Sequence, residues 1–322
     1  MKAIRYDRYG SADVLELREV SMPVVGDDDV LVRVRAASVN PLDFHFMRGT
    51  PYLVRALAGL RRPKFHGLGA DMAGQVEAVG KNVTEFNEGD EVLGSGRGMF
   101  AEYVCVRRDA AMVAKPSGVT FEQAACVPVA ALTALQALRK GGVTAGQRVL
   151  VNGASGGVGT FAVQMAKALG AEVTGVCSTG NVGMVRSIGV DHVVDYTSED
   201  FTQTAQRYDV MVDMAGPRTL SELQRVLAPK GVLVAVGGAI TGDWIAPLLG
   251  TAKLLVQSLF VSQTFVSMLT KVNIDDLARA RDLLQNGMVT AIIDRTYPLS
   301  EAPEAVRYLE QGHAKGKVVI TM

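Results

Sequence analysis

Hydrophobic positions along this 322-residue chain follow two rhythms. Through the first ~120 residues they come in short, strand-like bursts with a period of two. "DVLVRVRAASV" (29–39) sets Val30, Val32 and Val34 against Leu31, Arg33 and Arg35. "MAGQVEAVG" (72–80), "GDEVLG" (89–94) and "FAEYVCV" (100–106) follow, each bounded by glycine or a turn. Short strands with glycine corners predict a partly closed β-barrel or sandwich. One segment, "PYLVRALAGLRR" (51–62), instead spaces Leu53, Leu57 and Leu60 as a helix does.

The rhythm changes at "KPSGVTFEQAACVPVAALTALQALRKGG" (115–142). Thr120 with Gln123 three residues on forms a capping box, and an Ala-rich helix is predicted from there toward Gly141–Gly142. From Gln147 onward, Val- and Leu-rich runs alternate with helical ones: "RVLVNG", "GTFAVQMAKALG", "EVTGVCS", "NVGMVRSIG", "HVVDY", "YDVMVDMAG", "TLSELQRVLAPKG" and "VLVAVGG". Strands that are apolar on both faces and separated by helices predict a parallel sheet covered on both sides. The tail returns to amphipathic texture, with a helix over "NIDDLARARDLLQNG" (273–287), another in "TYPLSEAPEAVRYLEQG" (296–312), and a closing strand in "GKVVITM". A single parallel-sheet nucleotide domain is already complete by about residue 268. The expected fold is therefore α/β and discontinuous: a β-rich domain over 1–123, a doubly wound domain over 124–268, and a return to the first domain over 269–322. No internal repeat beyond the βα alternation and no low-complexity tract interrupts this plan.

Charge narrows the choice of function. Lys plus Arg and Asp plus Glu both number 33, and the pI is near 6.9. No global field favours nucleic acid or an anionic membrane. The three cysteines, Cys105, Cys126 and Cys177, form no C-x-x-C pair, so neither a zinc knot nor a disulfide framework can be built. Free thiols suit a reducing compartment, and "MKAIRYDRYG" lacks the apolar core of a signal peptide; a cytoplasmic protein is expected. The run over 246–270 approaches membrane-spanning length, but Lys253 and Gln257 sit near its middle. A central Lys costs about 3 kcal/mol on insertion. The run is read as a buried helix followed by a strand, and no membrane association is expected.

The chemistry concentrates in "VLVNGASGGVGTFAVQMAKALG" (149–170). A strand meets a glycine turn that opens a helix, with Ala154, Gly156 and Gly159 in the three slots of a dinucleotide fingerprint. The turn predicts cofactor contacts at Ala154, Ser155, Gly156, Gly157 and Val158, where backbone N–H groups and the helix dipole receive a pyrophosphate. Outside such a βα context the same glycines would be only a tight turn. An acid ending the next strand would select NAD, but "EVTGVCSTGN" offers Cys177, Ser178 and Thr179 there. The small hydroxyl residues, Ser178 among them, leave room for a 2′-phosphate, and Tyr196, at the end of the following strand, could add its phenolic O–H. Arg186 or Lys315 would add charge, although each reads first as a solvated surface cation. NADP(H) is the expected cofactor.

In sum these segments resemble the medium-chain dehydrogenase/reductase superfamily, and within it the zinc-free quinone oxidoreductase (zeta-crystallin-like) branch. "AASVNPLDFHFMRG", "GLGADMAGQVEAVGKNV", "GDEVLG", "VPVAALTALQAL", the glycine-rich segment and "GKVVI" match in order along nearly the whole chain. The resemblance implies a GroES-like catalytic domain, a Rossmann domain and an active site in the cleft between them. Zinc-dependent members place a cysteine where this chain has Asn40, a histidine at Ala70 and a third ligand near Val129. Asp71 alone survives, and "LGSGRGMFAEY" leaves no four-cysteine lobe, so no metal site is expected. The implied reaction is NADPH-dependent, metal-free reduction of a quinone or α,β-unsaturated carbonyl by hydride transfer. The alternatives are a metal-free aldehyde or ketone reductase and an NADPH-binding protein without turnover.

Asn40 and Thr133 are the polar side chains the resemblance puts beside the nicotinamide, as both catalytic and cofactor residues. Their ordinary readings are a turn residue before Pro41 and a helix hydroxyl bonded to its own backbone. Val236 and Gly237 complete the cofactor set, and Tyr52 is a candidate substrate or proton-donor contact. Asp43 is expected to orient its loop. His45 aligns with a proton-relay histidine, but the hydroxyl that should link it to substrate is Leu42 here, which leaves it an ordinary polar residue. Arg61, Arg62, Lys64 and His66 read as a solvated basic patch. Pocket walls expected from "FMRGTPYLVRALAGL" (46–60) and "GAITGDWIAPLLG" (238–250) suit a hydrophobic small molecule. The apolar edge strand in "SLFVSQTFV" (258–266) predicts a homodimer.

Overall fold

The computed structural model describes residues 1–216, 219–236 and 261–322. Gly237, the 238–250 segment, most of 254–265 and the side chain of Leu57 lie outside the described set. The chain forms two compact units. The first comprises Met1–Leu132, Val272–Gly287 and Ala291–Met322; the second comprises Thr133–Lys271 and Met288–Thr290.

In the first unit, β1 (Lys2–Arg5) and β2 (Glu16–Glu19) form a small antiparallel pair. The main sheet is built on the long β3 (Asp29–Val39). One side of β3 pairs along its length with β4 (Asp71–Val79). Its other side is shared between β6 (Tyr103–Arg107) and the C-terminal strand β15 (Lys317–Thr321). β5 (Glu91–Ser95) and β7 (Met112–Ala114) extend one flank, and β14 (Ile293–Pro298) the other. Alternation holds where Arg33 and Arg35 face solvent between buried Val32, Val34 and Ala36. From Ala36 to Val39 every residue is buried. Helix 302–310 packs Ala302, Ala305 and Val306 against Val39, Val318 and Ile320 in one core.

Two helical expectations need correction. The leucine spacing over 51–62 yields only the five-residue helix Val54–Ala58. Gly59, at φ +116°, turns the chain, and the N–H of Lys64 returns to Ala58 O. Leu53 and Leu60 are 59% and 75% exposed, so their periodicity marks no buried face. The Ala-rich helix is two helices, Phe121–Ala125 and Pro128–Gly141. Pro128 has no N–H to continue the ladder, so the chain breaks at 126–127. The Thr120 capping box forms as expected: Thr120 Oγ1 accepts from Gln123 N at 3.2 Å, and Gln123 Oε1 from Thr120 N at 3.1 Å. Helix 121–125 packs on β3 and β4, and the first unit runs through Leu132.

The second unit is a six-stranded parallel sheet of β8 (Arg148–Asn152), β9 (Glu172–Cys177), β10 (His192–Asp195), β11 (Tyr208–Asp213), β12 (Leu227–Val236) and β13 (Thr264–Met268). Its order is β10-β9-β8-β11-β12-β13. Read in chain order this is 3-2-1-4-5-6, the doubly wound arrangement whose strand order reverses between β8 and β11. The expected edge strand is present, shifted toward the C-terminus to Thr264–Met268. Among the described residues, no helix is long and apolar enough to cross a membrane.

Candidate functional sites in the two units

Ligands of open parallel sheets gather at the carboxyl ends of the strands, where the order reverses. Here that point is fixed by a buried pair: Asn152 Nδ2 donates to Asp213 Oδ1 at 2.8 Å, joining the ends of β8 and β11. Gly153, at φ +91°, then turns the chain, and the N–H groups of Gly153 and Ala154 donate to Val176 O. The twelve-residue helix Gly157–Ala168 opens immediately. A Cβ on Gly159 would lie 2.1 Å from Gly153 O and 2.8 Å from Ala154 Cα, so this glycine lets helix and turn touch. A Cβ on Gly156 would meet nothing closer than 3.5 Å. Space is therefore free at Gly156, where a dinucleotide's pyrophosphate approaches the backbone, and absent at Gly159.

Beside the turn, three polar side chains converge. Asn181 Nδ2 donates to Ser155 Oγ at 3.1 Å and to Ser178 Oγ at 3.2 Å. Asn181 is buried, and its Oδ1 has no hydrogen-bond partner. An unsatisfied buried acceptor costs about 1–3 kcal/mol, which a bound donor would relieve. A glycine cradle open at Gly156, two serine hydroxyls and an orphaned acceptor fit the adenosine half of a dinucleotide. Tyr196 is exposed at the end of β10, Val236 ends β12, and Arg186 is exposed on helix Val182–Ser187. Lys315 belongs to the first unit, where its N–H donates to Asp294. Asp195, which no motif in the sequence singles out, is paired in register with Cys177. The hydroxyls of Thr179 and Thr197 and the Thr197 N–H hold its carboxyl below the usual range.

Also in the second unit, Thr133 Oγ1 lies 2.7 Å from Thr270 Oγ1, and the Gln136 amide exchanges bonds with the Lys271 backbone. These contacts tie the middle of helix Pro128–Gly141 to the segment after β13.

The first unit holds a different kind of polar site. Asn40 is 2% exposed, and Lys317, on β15 between β14 and β3, is 3%. Lys317 Nζ donates to Asn40 Oδ1 at 2.6 Å and to Val39 O at 3.2 Å. Asn40 Nδ2 donates to Asp71 Oδ2 at 2.8 Å and to Ser38 O at 3.3 Å. Asp71 also accepts from Ser38 Oγ and from the Val129 N–H, both at 3.1 Å. Asp43 Oδ2 accepts the Asn40 N–H at 2.7 Å, orienting the loop. Burial pushes the Asp43 carboxyl up to about 7, and the Asp71 charge adds to it. Burial raises Asp71 only to about 6, because Lys317 and three donors favour its charge.

The expected site residues thus divide between units. Asn40 and Tyr52 belong to the first, while Thr133 and the described cofactor residues belong to the second. The Asn40 amide is saturated by Lys317, Asp71 and Ser38. Tyr52 packs under the Arg55 guanidinium at 4.5 Å. His45 Nδ1 lies 3.1 Å from Thr50 O, and burial lowers its pKa. Cys126 and Cys177 are buried, whereas Cys105 is half-exposed. Burial pushes the Cys126 thiol up to about 12. Among the described residues, no three His, Cys, Asp or Glu side chains cluster as metal ligands would. Lys317, Asn181 and Thr270 were missed. Only Lys317 left a trace, as a cation inside the apolar run "KVVI".

The chain matches the family model of the alcohol dehydrogenase GroES-like domain over residues 26–117. It matches the zinc-binding dehydrogenase model over residues 188–320. It is 33% identical over 335 aligned positions to 2-methylene-furan-3-one reductase of Solanum lycopersicum, covering 99% of this chain and 79% of that protein. It is 32% identical over 335 positions to a chloroplastic NADPH-dependent alkenal/one oxidoreductase of Arabidopsis thaliana, with the same coverage. Its fold superposes on a quinone oxidoreductase from Coxiella burnetii with a TM-score of 0.87, at 30% identity and with 100% and 99% of the two chains covered. Sheet order, glycine turn and these relatives agree: the chain belongs to the quinone oxidoreductase branch of the medium-chain dehydrogenase/reductase superfamily, an NAD(P)H-dependent oxidoreductase.

Proposed function

We propose that this protein reduces quinones or α,β-unsaturated carbonyls with NADPH and without a metal. The observation that carries the reading is the saturated Asn40–Asp71–Lys317 cluster. At the positions where zinc-dependent relatives place thiolate and imidazole ligands, this chain has an amide, the methyl of Ala70 and the side chain of Val129. Its remaining carboxylate is engaged by a lysine and three other donors. Without a Lewis acid, alkoxide formation from an alcohol lacks its stabilising partner, whereas an activated C=C or quinone needs only hydrogen-bond donors as negative charge develops. Bound NADPH would supply the hydride.

Ala154, Ser155, Gly156, Gly157 and Val158 would hold the pyrophosphate, with Ser178, Tyr196, Val236 and Gly237 completing the cofactor contacts. Thr133 is the proposed donor to the substrate oxygen. Its hydroxyl partner Thr270 can accept or donate, so the pair adapts as charge builds. Asn40 enters as a support of the loop before helix Pro41–Arg48 rather than as a donor, because both sides of its amide are engaged. Tyr52, held by Arg55, is the proposed substrate contact. Exposed Leu42, Leu53 and Leu60 support an apolar substrate. A two-fold dimer through the outer edge of β13 and a reducing, cytoplasmic location complete the reading. Three unpaired thiols favour that location, although one relative is chloroplastic.

The test is NADPH consumption against a panel of quinones, enones, aldehydes and ketones. Turnover confined to aldehydes and ketones would replace this reading with the carbonyl-reductase one; NADPH binding without consumption would make the protein a non-catalytic binder. Prolonged chelation should leave activity unchanged, and zinc-restored activity would overturn the metal-free mechanism. Thr133→Val should lower the rate about 100-fold in an enclosed site while NADPH affinity is retained. Light scattering should return twice the chain mass.

A further inference from the structure

We propose that Asn181 sets NADPH selectivity by orienting the Ser155 and Ser178 hydroxyls, an inference that rests on the NADP(H) reading above. A serine hydroxyl has one proton. Because both oxygens accept from Asn181 Nδ2, at 3.1 and 3.2 Å, both protons are directed elsewhere. The two serines come from different elements: Ser155 from the glycine turn and Ser178 from the residue after β9. One buried amide thus makes a pair of donors from two loops, the arrangement a phosphate monoester needs. A carboxylate at position 181 would draw both protons inward, leaving lone pairs outward and a negative charge behind them. That arrangement would favour an unphosphorylated ribose.

The ordinary local role for these residues is not filled. Asn181 stands at the N-cap of helix Val182–Ser187, yet its side chain makes no capping bond. Ser178 stands at the N-cap of the short helical turn 179–181 and makes none either. Thr179, by contrast, is engaged with Thr197 at 2.6 Å. Asn181 is 8% exposed, and its Oδ1 is buried without any donor. A native core seldom leaves such an acceptor alone. Asn181 is therefore a positioning residue: its amide acts on the phosphate through two serines.

The test measures dissociation constants of 2′,5′-ADP and 5′-AMP, which differ only in the 2′-phosphate, by titration calorimetry on the full chain. Wild type should favour 2′,5′-ADP. Asn181→Ala should reduce that preference about tenfold, by loosening two charge-assisted donors. In a Ser155→Ala/Ser178→Ala background the same change should alter the preference by less than about twofold, since residues acting through one another are not additive. Asn181→Asp should reduce the preference further than Ala, and unliganded melting temperatures report whether each variant is folded. An unchanged preference in folded Asn181→Ala and Asn181→Asp would overturn the proposal. An equal loss with and without the serines would also overturn it, because Asn181 would then act directly. Equal wild-type affinities would overturn the NADP(H) reading and this proposal with it, so the two failures are distinguishable.

Discussion

Two buried asparagines, one in each unit, show opposite ways of placing an amide in a protein interior. Asn40 is closed: its oxygen accepts from Lys317, and its nitrogen donates to Asp71 and Ser38 O. Asn181 is half open, with its nitrogen engaged by two serines and its oxygen without a donor. A polar group whose partners are all internal serves the fold, because removing any partner strands a buried charge or dipole. A group left unsatisfied costs stability until something binds, and so points to a ligand. The same residue type at similar burial therefore carries different information in the two units.

The largest effect should come from breaking the closed cluster. Lys317→Met would leave Asp71 and the Asn40 oxygen without their cation, and removing one partner of a buried pair costs about 3–5 kcal/mol. Urea unfolding followed by circular dichroism measures that loss; a midpoint equal to wild type would show that the cluster is not closed. The two asparagines can then be compared directly. Asn40→Ala should destabilise by about 1–3 kcal/mol, because it strands Lys317 and Asp71 partners, while Asn181→Ala should leave the unliganded unfolding midpoint close to wild type. Equal losses would erase the distinction between them.

The glycine turn repeats the contrast at smaller scale. Gly159→Ala forces a methyl into the Gly153 carbonyl and should cost about 1–3 kcal/mol, as overpacking does. Gly156→Ala has room, so its melting temperature should stay near wild type while NADPH affinity falls by about tenfold or more, since the methyl occupies the approach to the pyrophosphate. Fluorescence titration of NADPH separates the two.

A last comparison concerns protons in the closed cluster. Burial raises the folded-state pKa of Asp43 to about 7, above the ~3.9 of an unfolded aspartate. Protonation is thus favoured in the folded state, and the contribution of Asp43 to stability is fully present below about 4 and is lost as pH rises toward 7. Asp71, raised to about 6, acts in the same direction. Asp43→Asn should flatten the stability profile between about pH 4 and 7, read from unfolding midpoints across that window. A slope as steep as wild type would assign the titration elsewhere.

Local sequence was enough for the elements it could dictate by itself. The βα alternation after Gln147, the Thr120 capping box and the glycine turn at 153–159 all depend on side-chain period, capping chemistry or the absence of a Cβ, and each is visible within a few residues. The helix expected over 51–62 failed because leucine spacing says nothing about whether a face will be covered. Leu53 and Leu60 remain in solvent, and Gly59 ends the helix early. The helix after Thr120 failed at Pro128, whose missing N–H was legible but was outweighed by the alanines around it.

The sequence by itself determined the two-unit architecture's raw material, the parallel-sheet elements and the glycine turn that opens helix Gly157–Ala168. Tertiary structure alone decided which polar residues meet. Lys317 reaches Asn40 across 277 positions of chain, and Asn181 reaches Ser155 across 26. Neither pairing follows a helical or strand period, because strand order and loop closure create them after the elements have formed. Their chemistry depends on burial that those long-range contacts produce: a lysine in "GKVVI" is an ordinary surface cation until β15 takes its place beside β3, and only then does it become the internal partner of Asn40 and Asp71.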